Sequence, residues 1–515
     1  MTFEIVFVLL SLLGMMAALI ADKMRPGMVL FSVVVLFLCA GILTPKEMLE
    51  GFSNKGMITV ALLFLVSEGI RQSGTLGQVI KKLLPQGKTT VFKAQLRILP
   101  SVAFISAFLN NTPVVVIFAP IIKHWAKSVK LPATKFLIPL SYVTILGGIC
   151  TLIGTSTNLV VHGMILEAGY EGFTMFELGK VGIFIAIAGI IYLFIFSKRL
   201  LPDARPDTAV PDEEVEEGEK LHRVEAVLGA RFPGINKKLS DFNFQRHYGA
   251  EVKEIKTRNG QRYVNHLEDV VLREGDTLVV MADDTFIPTW GESSVFVLLT
   301  NGNDPDTSGK KKRWLALILL VLMIVGATVG ELPATKEMFP DIKLDMFFFV
   351  CITTIIMAWT NIFPARKYTK YISWDILITI ACAFAISKAM VNSGVADCVA
   401  GFIIGLSDDY GPHVLLAILF VITNLFTELI TNNAAAALAF PLALSISAQL
   451  GVSPTPFFVV ICMAASASFS TPIGYQTNLI VQGIGNYKFT DFVRIGLPLN
   501  IITFLISVIL IPLIW

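Results

Sequence analysis

Asn110-Asn111-Thr112-Pro113 interrupts a stretch that is apolar on both sides, and Thr431-Asn432-Asn433-Ala434 interrupts another in the second half of the chain. Uncharged polar side chains placed where a lipid-embedded segment should be unbroken must satisfy their hydrogen bonds on something, and a ligand is the expected partner. Carboxamides and hydroxyls offer hard oxygens to a cation and N–H or O–H donors to an anion. Neither motif contains Lys or Arg. An anion there has to be held by amides, hydroxyls and helix N-termini, with bound cations supplying the positive charge.

The two stretches belong to a longer echo. A proline follows the central asparagine at the same distance in both halves, Asn111 to Pro120 and Asn432 to Pro441. Then come GTSTNLVVHG from Gly154 and GYQTNLIVQG from Gly474, followed by Phe173-Thr174 with Phe176 and Phe489-Thr490 with Phe492. Ahead of the tips, Ser67 with Ser73-Gly74 matches Ser387 with Ser393-Gly394. Four signals in one order read as a duplicated membrane unit and not as two unrelated bundles with coincidental Asn-Gly turns.

The elements that must position these residues follow from composition. The chain of 515 residues is 54% hydrophobic and 16% charged, with several runs of the length that crosses a bilayer. Spans are expected near 3–20, 27–44 and 57–72, then a polar, basic connection through Lys81, Lys82, Lys88 and Lys93. The stretch 94–122 has basic residues at both ends, which a re-entrant hairpin tipped by the asparagines keeps on one side and a crossing helix would not. A broken span near 134–166 and a span near 179–199 complete the unit. The second half repeats it with spans near 314–330, 344–360 and 375–391, a hairpin near 412–443, a broken span near 456–484 and a last span near 493–515. Five crossings per unit, an odd number, invert the second copy relative to the first.

Basic residues at Lys23, Arg25, Lys198-Arg199, Arg366, Lys367, Lys370, Lys488 and Arg494 mark the cytoplasmic side. Glu167, Glu171, Glu177, Glu331, Glu337, Asp341, Asp397, Asp408 and Asp409 mark the other, leaving both termini outside. The opening segment lacks a basic n-region and a cleavage site, so it reads as a first span. The net charge of +2 is spread over short loops, which speaks against a nucleic-acid partner. Six cysteines without CxxC spacing and six scattered histidines form no metal cluster.

Between the units, the division is 1–202 for the first membrane repeat, 203–220 for an acidic linker, 221–300 for a soluble domain, 301–312 for a second linker and 313–515 for the second repeat. The soluble part alternates like a sheet domain. Strand-like runs are His222–Leu228, Ala250–Lys256 and Thr277–Met281, with a short amphipathic helix around Lys237–Arg246. Asn259-Gly260 reads as a hairpin turn, and Gly275-Asp276 as a turn feeding a buried strand.

The paired tips and paired Gly…Asn breaks resemble the divalent anion/sodium symporter family, whose members carry Ser-Asn-Thr at two hairpin tips and a Thr-Pro-Pro-Asn-like break after each. Here the tips are Asn-Asn-Thr and Thr-Asn-Asn, and the breaks are Thr155-Ser156-Thr157-Asn158 and Tyr475-Gln476-Thr477-Asn478. Thr471–Asn478, with the insert, looks most like the sulfate-type branch. The segment Phe232–Asp284 is similar to the TrkA-C ligand-sensing domain, through Gly234, Leu239, Gly249 and Gly275-Asp276. The resemblance implies a membrane all-α, inverted-repeat transporter with two re-entrant hairpins and broken helices, plus a small cytoplasmic α+β insert, in a homodimer of the inner (plasma) membrane with elevator-like movement. It implies two co-transported sodium ions, one held by Ser106, Asn110, Asn111 and Gly154 and the other by Thr427, Ile430, Asn432 and Gly474. Sulfate or a di- or tricarboxylate would meet Asn110, Asn111, Thr112, Thr157, Asn158, Thr431, Asn432, Asn433, Tyr475, Thr477 and Asn478. A regulatory nucleotide is a candidate ligand of the insert.

Two other classes compete. A channel gated by the TrkA-C-like domain lacks a pore-loop filter in this sequence, and a membrane enzyme lacks a nucleophile–base pair or metal cluster at the tips. His162 is one helical turn from Asn158, but its repeat partner is Gln482, which favours hydrogen-bonded packing. Glu68 and Glu428 are acids in apolar surroundings, open to an ion role or a partnered structural one. Topology is directly testable: cysteines at Asp304 and Lys367 should react with an impermeant thiol reagent only from the cytoplasm, and at Gly172 and Asp408 only from outside. Labelling of Gly172 and Lys367 from one side would refute the inversion.

Overall fold

Lipid supplies no partner for backbone N–H and C=O groups, so each apolar run closes its bonds internally as a helix. The computed structural model describes residues 3–515 except 22–23, 86, 204–221, 230, 258–260, 284–285, 287–289, 291–294, 301–309, 340–341 and 406–410. Lys23, the acidic linker after Asp203, the Asn259-Gly260 turn, the second linker up to Gly309, Asp341 and Asp408-Asp409 lie outside the described residues.

The first half runs α1 Phe3–Ala21, α2 Pro26–Cys39, α3 Pro45–Glu50, α4 Lys55–Gln72, α5 Thr75–Leu83, α6 Val91–Ser106, α7 Asn111–Ser128, α8 Thr134–Gly148, α9 Ser156–Glu167 and α10 Gly179–Leu200. The inserted part contains β1 His222–Leu228, α11 Phe244–Tyr248, β2 Glu251–Lys256, β3 Arg262–Tyr263, β4 Thr277–Ala282 and β5 Phe296–Thr300. The second half runs α12 Lys310–Gly330, α13 Pro333–Met338, α14 Met346–Trp359, α15 Tyr368–Tyr371, α16 Trp374–Asn392, α17 Val395–Gly405, α18 Pro412–Leu429, α19 Asn432–Leu450, α20 Thr455–Ser466, α21 Gln476–Gly485 and α22 Phe489–Ile514. Among the described residues seven helices are long and apolar enough to cross a membrane, with further shorter apolar ones, and the chain is a multi-pass membrane protein.

The connection expected to be a polar, basic loop after Gln72 is instead helical over α5. Gly74, at φ 71°, turns the chain into it, and Thr75, Leu76 and Ile80 are buried while Lys81 and Lys82 sit in its last turn. Those charges mask a short amphipathic pattern. Gly394, at φ 75°, introduces α17 in the same way.

Packing repeats along with sequence. The hairpin helix α6 lies on α8 as α18 lies on α20, and α7 lies on α8 as α19 lies on α20. The helices that follow the breaks cross over: α21 packs on α7 and α8, and α9 packs on α19 and α20. Each break is thereby carried to the hairpin of the other half.

The inserted strands form one antiparallel sheet in the order β3-β2-β4-β1-β5. Its core gathers Phe232, Phe242, Phe244, Tyr248 and Phe296. The helix expected around Lys237–Arg246 is not continuous: a single 3-10 turn, Leu239–Asp241, precedes α11. Asn243 causes the restart, because its side chain accepts from the Arg246 N–H at 3.0 Å as an N-cap. Strand β2 begins at Glu251, one residue later than expected, after Gly249 ends α11 at φ 69°. Strands β3 and β5 were not among the expected runs; β3 has two residues, too few for a periodic signal.

The sheet is docked on the membrane helices. Glu225 of β1 accepts from Lys123 Nζ of α7 at 2.9 and 3.1 Å and lies 3.4 Å from Lys256. Val227 belongs to the core of the membrane part, Gly275 lies against Leu479 of α21, and Arg231 donates to the Ile372 carbonyl at 3.0 Å. Burial by itself would raise the Glu225 carboxyl, but Lys123 and Lys256 beside it hold it down at about 2. A carboxylate depressed from an ordinary 4.5 stabilises the docked state above that value and loses the contribution as pH falls toward about 2. The shift corresponds to on the order of 3 kcal/mol. Glu225→Gln should therefore raise amide hydrogen exchange in β1 at neutral pH, and the wild type should reach the same rates only in acid. Equal exchange in both at neutral pH would show that this pair does not hold the sheet in place.

Candidate substrate and ion site

Both tips form where a helix gives out in mid-stretch. Helix α6 ends at Ser106 and α7 starts at Asn111; α18 ends at Leu429 and α19 starts at Asn432. Pro113 falls in the first turn of α7, where its missing N–H costs no helical bond. Residues 149–155 between α8 and α9, and 467–475 between α20 and α21, leave backbone groups that side chains must satisfy.

The same hydrogen bonds are made twice. Ser106 Oγ lies 2.7 Å from Asn111 Oδ1 and 2.9 Å from the Thr144 carbonyl oxygen. Thr427 Oγ1 lies 2.7 Å from Asn432 Oδ1 and 2.6 Å from the Ala465 carbonyl oxygen. A hydroxyl has one proton, so each cluster sets three oxygens around a single hydrogen. Thr151 Oγ1 donates to the Ala107 carbonyl and accepts from Gly154 N–H at 3.2 Å; Thr471 Oγ1 donates to the Glu428 carbonyl at 3.1 Å and accepts from Gly474 N–H at 3.2 Å. A Cβ at Gly154 would stand 2.5 Å from the Gly148 carbonyl oxygen and 3.0 Å from that of Ala107. At Gly474 it would stand 2.6 Å from the Thr427 carbonyl oxygen. Glycine is what lets these carbonyls close in.

Asn158 and Asn478, fully buried, turn their amides back onto the breaks. Asn158 Nδ2 donates to the carbonyl of Thr151 at 2.9 Å and of Gly148 at 3.5 Å; Asn478 Nδ2 donates to those of Ser468 and Thr471 at 3.0 and 3.1 Å. Asn478 Oδ1 also accepts from Ser141 Oγ at 2.7 Å, whereas Asn158 Oδ1 is a buried acceptor without a hydrogen-bond partner.

Across the two halves the tips meet the opposite breaks. Asn111 Nδ2 donates to the Tyr475 hydroxyl at 2.6 Å, and Thr112 Oγ1 donates to Gln476 Oε1 at 3.2 Å. Ser156 Oγ and Thr157 Oγ1 donate to Asn433 Oδ1 at 3.3 and 3.2 Å, and Ser141 Oγ lies 2.9 Å from Thr477 Oγ1. Thr431 Oγ1 is buried without a hydrogen-bond partner, and Ile430 is buried at the second tip. Asn110 is half-buried and, with Ser67 and Ser156, lines a small cavity facing α4 and α12.

Several contributors were not singled out from the sequence. Thr151 and Thr471 each precede the break glycine by three residues and were visible in the repeat. The Thr144 and Ala465 carbonyls carry no side-chain signal. Glu428, at the position of Ala107 in the first half, accepts from the N–H groups of Ser470 and Thr471 at 2.9 Å each and from Asn500 Nδ2 at 2.7 Å. Glu68 is held by Arg71 and Gln72 on its own helix at 2.6 Å each. The half-buried His162 ring packs on Gly172.

Two hairpins and two broken helices, joined tip to opposite break, are the architecture of a membrane transporter. The chain belongs to the citrate transporter family, whose model matches residues 16–444 and 338–515. It is 29% identical to an uncharacterized transporter of Synechocystis, over 94% of this chain and 92% of the relative. It is 22% identical to a probable sodium/sulfate cotransporter 3 of Chlamydomonas reinhardtii, over 93% and 85%. The fold is similar to the crystal structure of the Alcanivorax borkumensis YdaH transporter, with a TM-score of 0.53 at 12% identity, covering 90% of this chain and 86% of that one.

The stitches can be tested apart from transport. Replacing Asn478 with Ala strands two buried carbonyls, each at about 1–3 kcal/mol, and takes from the Ser141 hydroxyl the shorter of its two contacts. Asn478→Ala should lower the melting temperature in detergent more than Asn158→Ala does. The reverse order would mean that the Ser141 contact contributes nothing.

Proposed function

We propose that the protein is a sodium-coupled symporter that takes up a divalent anion. The observation that carries this is the duplicated oxygen cluster, Ser106–Asn111–Thr144 and Thr427–Asn432–Ala465, beside a seam of neutral donors without Lys or Arg. Clusters of hydroxyl, carboxamide and carbonyl oxygen suit a hard cation. One sodium ion takes Ser106, Asn110, Asn111 and Gly154, and the other Thr427, Ile430, Asn432 and Gly474. Between them the anion meets Thr112, Thr157, Thr431, Asn433, Tyr475 and Thr477, with the Asn158 and Asn478 amides fixing the shape of the breaks. A dianion in a low-dielectric site needs the charge the cations bring, which couples the two fluxes.

The name of the Chlamydomonas relative, a sodium/sulfate cotransporter, and the description of the family as citrate transporters bound the substrate between sulfate and a di- or tricarboxylate. A channel is less well supported, since tips bonded to opposite breaks describe a closed seam. The hairpins are re-entrant, in this reading, with the insert in the cytoplasm as the positive-inside pattern requires. The insert regulates by contact: it touches α7 and α21, which bear a tip and a break, and also the Ile372 backbone beside α16.

Counterflow in proteoliposomes tests the carrier: external labelled substrate should accumulate against internal unlabelled substrate. Asn111→Ala and Asn432→Ala should each reduce sodium-driven uptake at least roughly tenfold in protein that still inserts and elutes as a folded species. Wild-type sodium dependence in both variants would sink the ion-site assignment.

A further inference from the structure

The two halves differ most at one position on their shared seam. Where the first break has Thr155, the second has Tyr475, counted from Gly154 and Gly474. The Tyr475 ring is 9% exposed, and its hydroxyl lies 2.6 Å from Asn111 Nδ2 and 3.2 Å from Thr155 Oγ1; the Asn432 side chain reaches the same oxygen. A side chain from the second break thus stands between the central asparagines of both tips.

We propose that Tyr475 sets substrate size, admitting a compact tetrahedral oxyanion of the sulfate class and excluding di- and tricarboxylates. This rests on the reading of the tips as an anion site. The phenol oxygen takes a place that a substrate oxygen would otherwise take, and the ring fills the volume behind it. A linear diacid anchored at one tip would have to put its second carboxylate into that ring. A tetrahedral dianion needs no such reach.

The hydrogen bonds along the seam support the same division. Thr112 to Gln476, and Ser156 and Thr157 to Asn433, are neutral contacts of 3.2–3.3 Å, at the long end for hydroxyl donors. A charged oxyanion competes well against them, because charge-assisted bonds are shorter and roughly twice as strong. The 2.6 Å bond from Asn111 to Tyr475 is the short one and stays. The phenol oxygen accepts from Asn111 and lies 3.2 Å from Thr155 Oγ1, where either hydroxyl can donate, so its own proton is there to be donated to the anion in the loaded site. Sulfate, an acceptor at every oxygen, matches a ring of donors.

The test is uptake of labelled sulfate, succinate and citrate by full-length protein in proteoliposomes with an inward sodium gradient. Wild type should prefer sulfate by about 100-fold. Tyr475→Phe keeps the ring and should still exclude succinate while its KM for sulfate rises roughly tenfold, the loss of one bond to a charged group. Tyr475→Thr, which copies the first break, should admit succinate. For the case in which that variant does not fold, selectivity is also read on wild type: in sodium, sulfate and selenate should raise the melting temperature and citrate should not. Sodium-driven succinate or citrate uptake by wild type comparable to sulfate, thermal protection by citrate equal to that by sulfate, or an unchanged preference in folded Tyr475→Thr overturns the size filter and leaves the carrier standing. Absence of sodium-driven uptake of all three anions overturns the carrier reading, and the filter with it.

Discussion

A helix that ends inside a membrane exposes backbone N–H and C=O groups where no water can reach them. This chain ends four helices in mid-stretch, at Ser106, Gly148, Leu429 and Ser466, and each end is met by side-chain oxygens and amides drawn from nearby in the fold. Thr151 and Thr471 close the turns, while Asn158 and Asn478 bind the carbonyls that the breaks release. What is left over after this repair is what can bind: the oxygens around Asn111 and Asn432, and the hydroxyls of the seam. In the proposed reading, structure and ligand chemistry use one set of polar groups, and the polar residues are not divided cleanly between them.

Much of this was legible in the sequence because it is written twice. A lone Asn-Asn-Thr in an apolar run admits a helix cap as readily as a ligand, and its counterpart at Thr431-Asn432-Asn433 is what made a ligand the expectation. Equivalence, however, does not say which residues face each other. Thr112 and Gln476 correspond to Asn433 and Ser156, and only the crossed packing of α21 on α7 and of α9 on α19 brings each pair together. Asn158 and Asn478 grouped with the ligands in the sequence, and in the fold their amides close the breaks. Helix α5 was hidden by Lys81 and Lys82, and Asn243 divided a helix that periodicity had joined. Local capping chemistry outweighed the pattern there.

The halves are not interchangeable. Glu428 stands where the first half has Ala107, and its carboxylate takes up two N–H groups of the second break. Tyr475 stands where the first half has Thr155 and reaches across to the first tip. Both enlargements lie on the second half, one bonded to the backbone of its break and the other reaching across to the first tip. A duplicated set of helices and breaks supplies the frame, and side-chain exchanges on one copy make its two halves unequal.

The hydrogen bond between Asn111 and Tyr475 joins residues 364 positions apart. At about 5–20 residues per second, a ribosome needs roughly 20–70 seconds to pass from one to the other. For that interval the first tip lacks the residues that complete it in the fold, Tyr475 and Gln476. The sheet that binds Lys123 through Glu225 is made about midway through the wait. Its contact with Lys123 joins it to the first half alone, so both partners of that ion pair are made before the second half is synthesised.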